Sequence, residues 1–290
     1  MERGGAMKLL VTDPSLGVWE MEDSGTRKLS DDFRWPCVPC SNKELEAFCC
    51  GESRECICMK KGNRELVSTM PCVPGIASMS LSPCSRFLYQ LSSEADCIHS
   101  RSVHTGELLF AAPSGVFPRS MVLDRAGRYL LVAGGAVDEA YLLSVPELVC
   151  EKVIHTRHPC FGAAFWLDGL VLVCAKEGDD IQSVFYTVTE KAVRPRHLLT
   201  LPGIPGTICP CPDGIHILAS TCEGVMKINL RTSELLWNRP EWASCMRIEC
   251  ERQFALLSAT MDGRICLMNL EKPWEQRILI HGSQPEGCFL

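Results

Sequence analysis

The stretch RYLLVAGGAVDEAYLLSV (residues 128–145) contains two short apolar runs separated by a glycine-containing turn. The first run, RYLLVAG (128–134), is short, rich in Tyr, Leu and Val, and ends at a glycine, which is typical of a β-strand. A helix would show apolar residues three and four apart over at least about 11 residues, and we find no such stretch in the chain. The stretch therefore predicts a β-hairpin.

Similar runs recur along the whole chain. They begin at residues 7, 44, 86, 128, 169, 215 and 253, which gives spacings of 37, 42, 42, 41, 46 and 38 residues. Each run is followed by a second strand and then by a more polar one, such as RELVST (64–69). A shorter run with small residues precedes most of them, such as IASMSLS (76–82). A period of about 40–45 residues with four strands per repeat is typical of propeller blades.

The sequence therefore predicts an all-β fold in which residues 1–290 form one seven-bladed β-propeller of four-stranded antiparallel blades. The first blade lacks an inner strand of its own, and PEGCFL (285–290) supplies it. Closure of the first blade by the C-terminal strand removes the free edge of the ring. The predicted blades are 7–31 with 285–290, 34–70, 75–112, 118–156, 159–202, 205–240 and 243–281.

The chain resembles the WD40/YVTN-like seven-bladed β-propellers in YLLVAGGAVDEAYLLSV (129–145) and HTGELLF (104–110). The resemblance is one of fold and covers nearly the whole chain. The Trp-Asp and Gly-His pairs of true WD40 repeats are absent. Because enzymes, receptors and scaffolds share this fold, the resemblance implies the architecture and leaves the function open.

Composition narrows the classes of partner. The net charge is −6 and no block of five like charges occurs, so we expect no nucleic-acid partner. There is no uncharged apolar run of about 18 residues and no apolar signal core near the start, so we expect a cytoplasmic protein with no membrane partner. We also expect a monomer. No phosphate-binding glycine loop or nucleophile elbow is present, so no cofactor is expected.

Cysteine is unusually frequent, with 19 residues in the chain. An odd count in a long chain favours reduced thiols that act as small buried apolar groups. Cys37 and Cys40 have the spacing of a zinc knuckle, but no second close pair lies on a turn, so we predict no metal site. The predicted second blade is richest in this residue and contains Cys37, Cys40, Cys49, Cys50, Cys56, Cys58 and Cys72.

The candidate binding residues lie where the loops enter the inner strands. They are Arg34, Trp35, Arg119, His158, Trp242 and, near the start of an inner strand, Arg247. Arginine offers a planar fork to carboxylate or phosphate, and tryptophan offers a large apolar area. A charge such as that of Arg247 inside the channel needs water, an acidic side chain or an anion as its partner.

Two functions are compatible with this set of residues. The leading prediction is a non-catalytic binding or scaffold propeller that recognises a protein or a small anionic ligand at the channel mouth, so the sequence leans away from an enzyme. The alternative is a lactonase-like propeller hydrolase that uses a His, Arg and acid set at the same face. A compact pocket at the channel mouth that holds His158, Arg119 and a carboxylate would favour the hydrolase, whereas a flat aromatic face would favour the scaffold.

Overall fold

The computed structural model of the chain describes residues 7–22, 25–30, 36–167, 169–178, 180–189, 194–243 and 245–290. These residues form seven four-stranded antiparallel sheets and two short 3-10 helices, Pro240–Trp242 and Thr260–Asp262. The predicted all-β, seven-bladed propeller with a closing C-terminal strand is therefore confirmed. None of the helices in the described part of the chain has the length and apolar character needed to span a membrane.

Blades 2 to 4 follow the chain from the inner to the outer strand, whereas blade 1 takes its inner strand from the end of the chain. Blade 1 contains β1 (Lys8–Asp13), β2 (Gly17–Glu22) and β3 (Gly25–Ser30), and its inner strand is the last of the chain, β28 (Glu286–Phe289). Blade 2 contains β4 (Pro36–Ser41), β5 (Leu45–Cys50), β6 (Glu55–Lys60) and β7 (Leu66–Pro71). Blade 3 contains β8 (Ile76–Leu81), β9 (Phe87–Ser92), β10 (Cys97–Ser102) and β11 (Leu108–Pro113). Blade 4 contains β12 (Ser120–Leu123), β13 (Tyr129–Ala133), β14 (Glu139–Ser144) and β15 (Val149–His155).

The remaining three blades complete the ring with the same order of strands. Blade 5 contains β16 (Cys160–Trp166), β17 (Gly169–Lys176), β18 (Gln182–Val188) and β19 (Arg196–Pro202). Blade 6 contains β20 (Pro205–Pro210), β21 (His216–Thr221), β22 (Gly224–Asn229) and β23 (Glu234–Arg239). Blade 7 contains β24 (Arg247–Glu251), β25 (Phe254–Ala259), β26 (Arg264–Asn269) and β27 (Gln276–His281).

The core lies between the blades rather than at the centre of the ring. The second strand of a blade is buried on both faces, as in β13 and β21, because each face packs against a neighbouring blade. The outer strands are largely exposed, as in β11. Among the described residues, seven apolar clusters each join two adjacent blades, including the cluster between blades 7 and 1. The ring is therefore held by a complete circle of inter-blade contacts.

The closing strand β28 is bound to both of its neighbours in the ring. It pairs antiparallel with β1, with Leu9 opposite Phe289. On the side of blade 7, Gly287 packs against the side chain of Leu256, where a Cβ atom would lie 2.9 Å from Cδ2. Cys288 and Phe289 are both buried. Closure thus combines a hydrogen-bonded ladder with apolar packing.

Deletion of residues 285–290 should destabilise the protein, because it exposes the β1 edge and removes buried Phe289. We expect a loss of at least about 3 kcal/mol, as for the truncation of a buried phenylalanine. In a chain of this size that corresponds to a melting temperature several degrees lower, at about 2–4 °C per kcal/mol. Thermal denaturation followed by circular dichroism measures the effect. The control is Trp274→Ala, which removes an exposed side chain of blade 7; an unchanged melting temperature after the deletion would contradict the closure.

Candidate functional site

The seven inner strands surround a central channel. They contact one another in the order β28, β4, β8, β12, β16, β20 and β24, and β24 contacts β28 in turn. Each inner strand is antiparallel to the second strand of its blade, so all seven run in the same direction along the channel. Residues at the starts of the inner strands therefore meet at one end of the channel, which we call the channel mouth.

A cavity of about 390 Å³ occupies the channel. Its wall is built from β8, β12, β16, β20, β24 and β28, and its charged residues are Arg119, Arg247, Glu249 and Glu286. Small-molecule sites usually have volumes of about 300–1,000 Å³ and combine apolar walls with a few convergent polar groups. Both the size and the composition of this cavity fit that description.

Arg247 is paired with two carboxylates in the channel wall, one on its own strand and one on the adjacent strand β28. Its Nη2 atom lies 2.7 Å from Oε1 of Glu249, and its Nη1 atom lies 3.9 Å from Oε2 of Glu286. Nη2 also donates to the carbonyl oxygen of Pro39. Burial lowers the pKa of Arg247, but the charges of the two carboxylates raise it by more, so the net shift is upward. Of the partners that the sequence allowed for this arginine, namely water, an acidic side chain or an anion, the structure provides acidic side chains.

Glu286 keeps one carboxylate oxygen available to the cavity. Its Oε2 atom accepts a hydrogen bond of 2.8 Å from the backbone N–H of Val38. No described residue donates a hydrogen bond to its Oε1 atom. In contrast, both oxygens of Glu249 are occupied, Oε1 by Arg247 and Oε2 by the backbone N–H of Phe289 at 3.1 Å. Glu286 is thus the carboxylate that a backbone hydrogen bond holds in position while its second oxygen has no donor among the described residues.

Arg119 is the cation of the cavity that lacks a carboxylate partner among the described residues. It stands directly before β12, at the channel mouth, and its side chain is exposed. The guanidinium carbon lies 5.9 Å from the centroid of the Phe161 ring, which is a cation–π contact. Such a contact orients the guanidinium without neutralising it, so Arg119 can still bind an anion.

Of the four predicted binding residues that the structure describes, Arg119 and Arg247 line the cavity and His158 and Trp242 do not. His158 lies in the loop before β16, where Thr156 donates a hydrogen bond to its carbonyl oxygen, and its side chain is not part of the cavity wall. Burial, together with the charges of Lys176 and Arg157, lowers the pKa of His158, so its ring is neutral at pH 7. Arg34 and Trp35 lie outside the described residues, and their role stays a prediction.

Trp242 lies in the predicted loop, but its side chain points into the protein. It is 1% exposed and packs in the apolar cluster between blades 6 and 7. Its indole N–H donates to Oε1 of Gln276 at 2.9 Å, and the guanidinium of Arg264 lies 4.6 Å from its ring centroid. Trp242 therefore stabilises the connection between two blades and presents no aromatic surface at the channel mouth.

The two carboxylates of the cavity, Glu249 and Glu286, were missing from the predicted set of binding residues. Glu249 is two residues after Arg247, so strand alternation places both on one face of β24, and this spacing could have revealed the pair. Glu286 begins the closing strand that the sequence identified, and its position followed from that assignment. The contact of Glu286 in blade 1 with Arg247 in blade 7 depends on the register between the blades, which sequence spacing does not define.

No known sequence family matches the chain, and no curated protein matches it. Solved structures match it at low sequence identity. A periplasmic gluconolactonase from Pseudomonas aeruginosa has a TM-score of 0.72 and 14% identity, covering 99% of each chain. A proposed 6-phosphogluconolactonase from Bacteroides uniformis has a TM-score of 0.73 and 13% identity, covering 98% of this chain and 99% of that one. A protein from Lactobacillus plantarum has a TM-score of 0.77 and 13% identity, with the same coverage. These likenesses show a shared fold.

The leading functional prediction, a non-catalytic binding or scaffold propeller, is corrected by these comparisons. Structures that share the fold over the full chain include lactonases, which favours the predicted alternative, a lactonase-like propeller. The channel mouth meets the sequence criterion in part, because its cavity holds Arg119 and the carboxylates of Glu249 and Glu286 but does not include His158.

Replacement of Arg247 by methionine should destabilise the protein. The variant keeps the aliphatic stem but leaves the carboxylates of Glu249 and Glu286 without their cation. Removal of one partner of a buried ion pair costs about 3–5 kcal/mol, and we expect the lower end because these side chains are partly exposed.

Urea denaturation at pH 7 measures the loss of stability. The control is Arg252→Met, because Arg252 is exposed and lies outside the channel. A loss of stability no larger than that of the control would contradict the paired arrangement.

Proposed function

We propose that this chain is a lactonase-like hydrolase that opens a small sugar lactone with an anionic substituent inside the channel cavity. The observation that carries the proposal is the pairing, in one cavity, of a free carboxylate oxygen on Glu286 and an unneutralised guanidinium on Arg119. The named activities of the gluconolactonase and 6-phosphogluconolactonase structures with this fold support the choice of substrate class.

The reaction needs a base, a water molecule and charge stabilisation. Water adds to the lactone carbonyl carbon while Glu286 takes a proton from that water through Oε1. The ring C–O bond then breaks, and the protonated Glu286 returns the proton to the departing ring oxygen, which becomes the hydroxyl group of the product acid. Proton transfer by one positioned side chain contributes about 10²–10⁴-fold to such a rate.

The two arginines have different tasks. Arg247 is bound to Glu249 and the Pro39 carbonyl, so it acts as a positioning residue that holds Glu286 in place. Arg119 has no such partners among the described residues, and its planar fork fits the oxygen atoms of a phosphate or carboxylate. We assign Arg119 to the anionic substituent of the substrate, which places the lactone ring between it and Glu286.

Glu286→Gln should lower the turnover of 6-phosphogluconolactone by at least about 100-fold, because the amide cannot accept the proton from water. The assay follows proton release as the product acid ionises at neutral pH, with the spontaneous hydrolysis of the lactone subtracted. The control is Glu94→Gln, which changes an exposed glutamate in the turn between β9 and β10. Wild-type protein that hydrolyses neither this lactone nor gluconolactone faster than buffer would overturn the proposal.

Arg119→Met should separate anionic from neutral substrates. Loss of a charge-assisted contact of about 1.5–3 kcal/mol raises KM for the phosphorylated lactone by about 10–100-fold. The constants for unphosphorylated gluconolactone should stay within about twofold of wild type, because that substrate lacks the charge that Arg119 binds. Steady-state kinetics on both lactones measures the difference, and Arg125→Met, an exposed position of blade 4, is the matched control. An equal change in KM for both substrates would show that Arg119 does not bind the anionic group.

A further inference from the structure

Four sulfur atoms meet between blades 2 and 3. We call Cys49, Cys56, Cys72 and Met79 the sulfur cluster. Sγ of Cys56 lies 2.8 Å from Sγ of Cys49 and 3.1 Å from Sγ of Cys72. Sδ of Met79 lies 3.3 Å from Sγ of Cys49 and 3.4 Å from Sγ of Cys56. All three thiol sulfurs lie within 4.8 Å of one another, and all 19 cysteines of the chain are free.

Strand register explains how the chain brings these atoms together. Cys49 on β5 is directly opposite Cys56 on β6, so their side chains share one face of blade 2. Cys72 follows the end of β7 and reaches the same row from the outer strand. Met79 comes from β8 of the next blade, and it packs against that face in the apolar cluster between the two blades. Blades 2 and 3 thus both contribute sulfur atoms to the sulfur cluster.

The surroundings are polar although the site is buried. Gln90 is opposite Met79 in blade 3, and its side chain is fully buried. Its Nε2 donates to Sγ of Cys56 at 2.9 Å and to the carbonyl oxygen of Pro71 at 3.3 Å, while its Oε1 has no hydrogen-bond partner. An amide is costly to bury in an apolar core without full hydrogen bonding. The shorter of its two donor contacts is to a sulfur atom, which is a weak acceptor as a thiol and a stronger one as a thiolate.

A buried cation lies on the same face of blade 3 as Gln90. Gln90 is paired with His99 of β10, and Arg101 is two residues further along that strand. Arg101 is 9% exposed. Its Nη1 donates to the Gly106 carbonyl at 3.1 Å, its Nε has no partner, and no carboxylate of the described residues pairs with it. Thiolates in the sulfur cluster would supply negative charge on the side of this guanidinium that packs against blade 2.

We propose that the sulfur cluster binds one Cu(I) ion through the thiolates of Cys49, Cys56 and Cys72 and the thioether of Met79. Thiolate and thioether donors together select Cu(I), whereas zinc sites in proteins use Cys, His, Asp and Glu. Each thiol that binds the ion releases its proton to solvent. Cys72 is only half-buried and provides the path from solvent to the site.

The geometry can accommodate an ion after small side-chain movements. Metal–thiolate distances of about 2.3 Å in a tetrahedral arrangement place the sulfur atoms about 3.8 Å apart. The present separations of 2.8 and 3.1 Å therefore widen by less than about 1 Å. The Cu(I) ion and Arg101 together offset two of the three thiolate charges, which reduces the cost of burying them.

The test is a titration of reduced, full-length protein with Cu(I) under anaerobic conditions, in competition with the coloured chelator bathocuproine disulfonate. Wild-type protein should remove one equivalent of Cu(I) from the chelator and develop sulfur-to-copper charge-transfer absorption in the ultraviolet. Failure to compete with the chelator would overturn the proposal. A disulfide between Cys49 and Cys56 that forms the resting state of anaerobically purified protein, detected by mass spectrometry, would also overturn it.

Three variants locate the site. Loss of a residue that merely supports a metal ligand weakens metal binding by roughly 10–100-fold. Cys72→Ser removes a proposed ligand, so we expect it to weaken Cu(I) binding by at least about 100-fold. Met79→Leu should weaken Cu(I) binding by about tenfold. The Met-to-Leu change preserves volume and leaves the packing nearly unchanged. Cys58→Ala removes a buried thiol from β6 outside the cluster and should retain wild-type affinity, with circular dichroism confirming the fold of each variant.

Two results from the variants would overturn the assignment. Unchanged Cu(I) affinity in Cys72→Ser would place the binding at other cysteines, such as the exposed Cys84, Cys150 and Cys222. Stoichiometric zinc binding that excludes Cu(I) and is insensitive to Met79→Leu would show that the thioether is not a donor. The proposal does not depend on lactone hydrolysis, because Cu(I) binding is measured directly and the proposed ligands do not include Glu286 or Arg119. Met79 also lines the channel cavity.

Discussion

The antiparallel pairing of β28 with β1 is the interaction on which the ring depends. Each blade buries both faces of its second strand against its neighbours, so a blade at an open end would leave one apolar face in water. The last strand closes the circle by joining blade 1 and packing against blade 7 through Gly287. In doing so it carries Glu286 to the channel, where Arg247 of blade 7 and the backbone of Val38 in blade 2 bind it. The same closure that stabilises the fold therefore assembles the charged cavity.

The architecture could be predicted because its cause is local and repeated. Alternation within short strands and a period near 42 residues predict blades, and the missing inner strand of the first blade predicts the closing role of residues 285–290. The positions of Arg119 and Arg247 followed from the same register, since both stand at the start of an inner strand. Loop residues were less predictable. Trp242 occupies its predicted loop but turns inward to Gln276 and Arg264, and sequence position alone does not distinguish inward from outward side chains.

Contacts between blades account for what sequence reasoning missed. The pairing of Glu286 with Arg247 joins β28 to β24, and that of Cys56 with Met79 joins β6 to β8. Within one blade the partners of a residue follow from the hairpin register, but the vertical offset of one blade against the next does not. The prediction that the cysteines of blade 2 hold no metal was based on strand positions within the blade. That reasoning did not consider the thioether of Met79 or the buried guanidinium of Arg101, both in blade 3.

In the proposed lactone hydrolysis, Arg119 binds the anionic substituent of the substrate and Glu286 acts at its carbonyl group. The most direct measurement is a crystal structure of the protein with a lactam analogue of 6-phosphogluconolactone, whose amide bond resists hydrolysis. The account predicts that the analogue occupies the channel cavity, with its phosphate on the guanidinium of Arg119 and its ring carbonyl facing Oε1 of Glu286, near enough for one water molecule to bridge them. An analogue bound outside the channel, or with its carbonyl turned away from Glu286, would contradict the account.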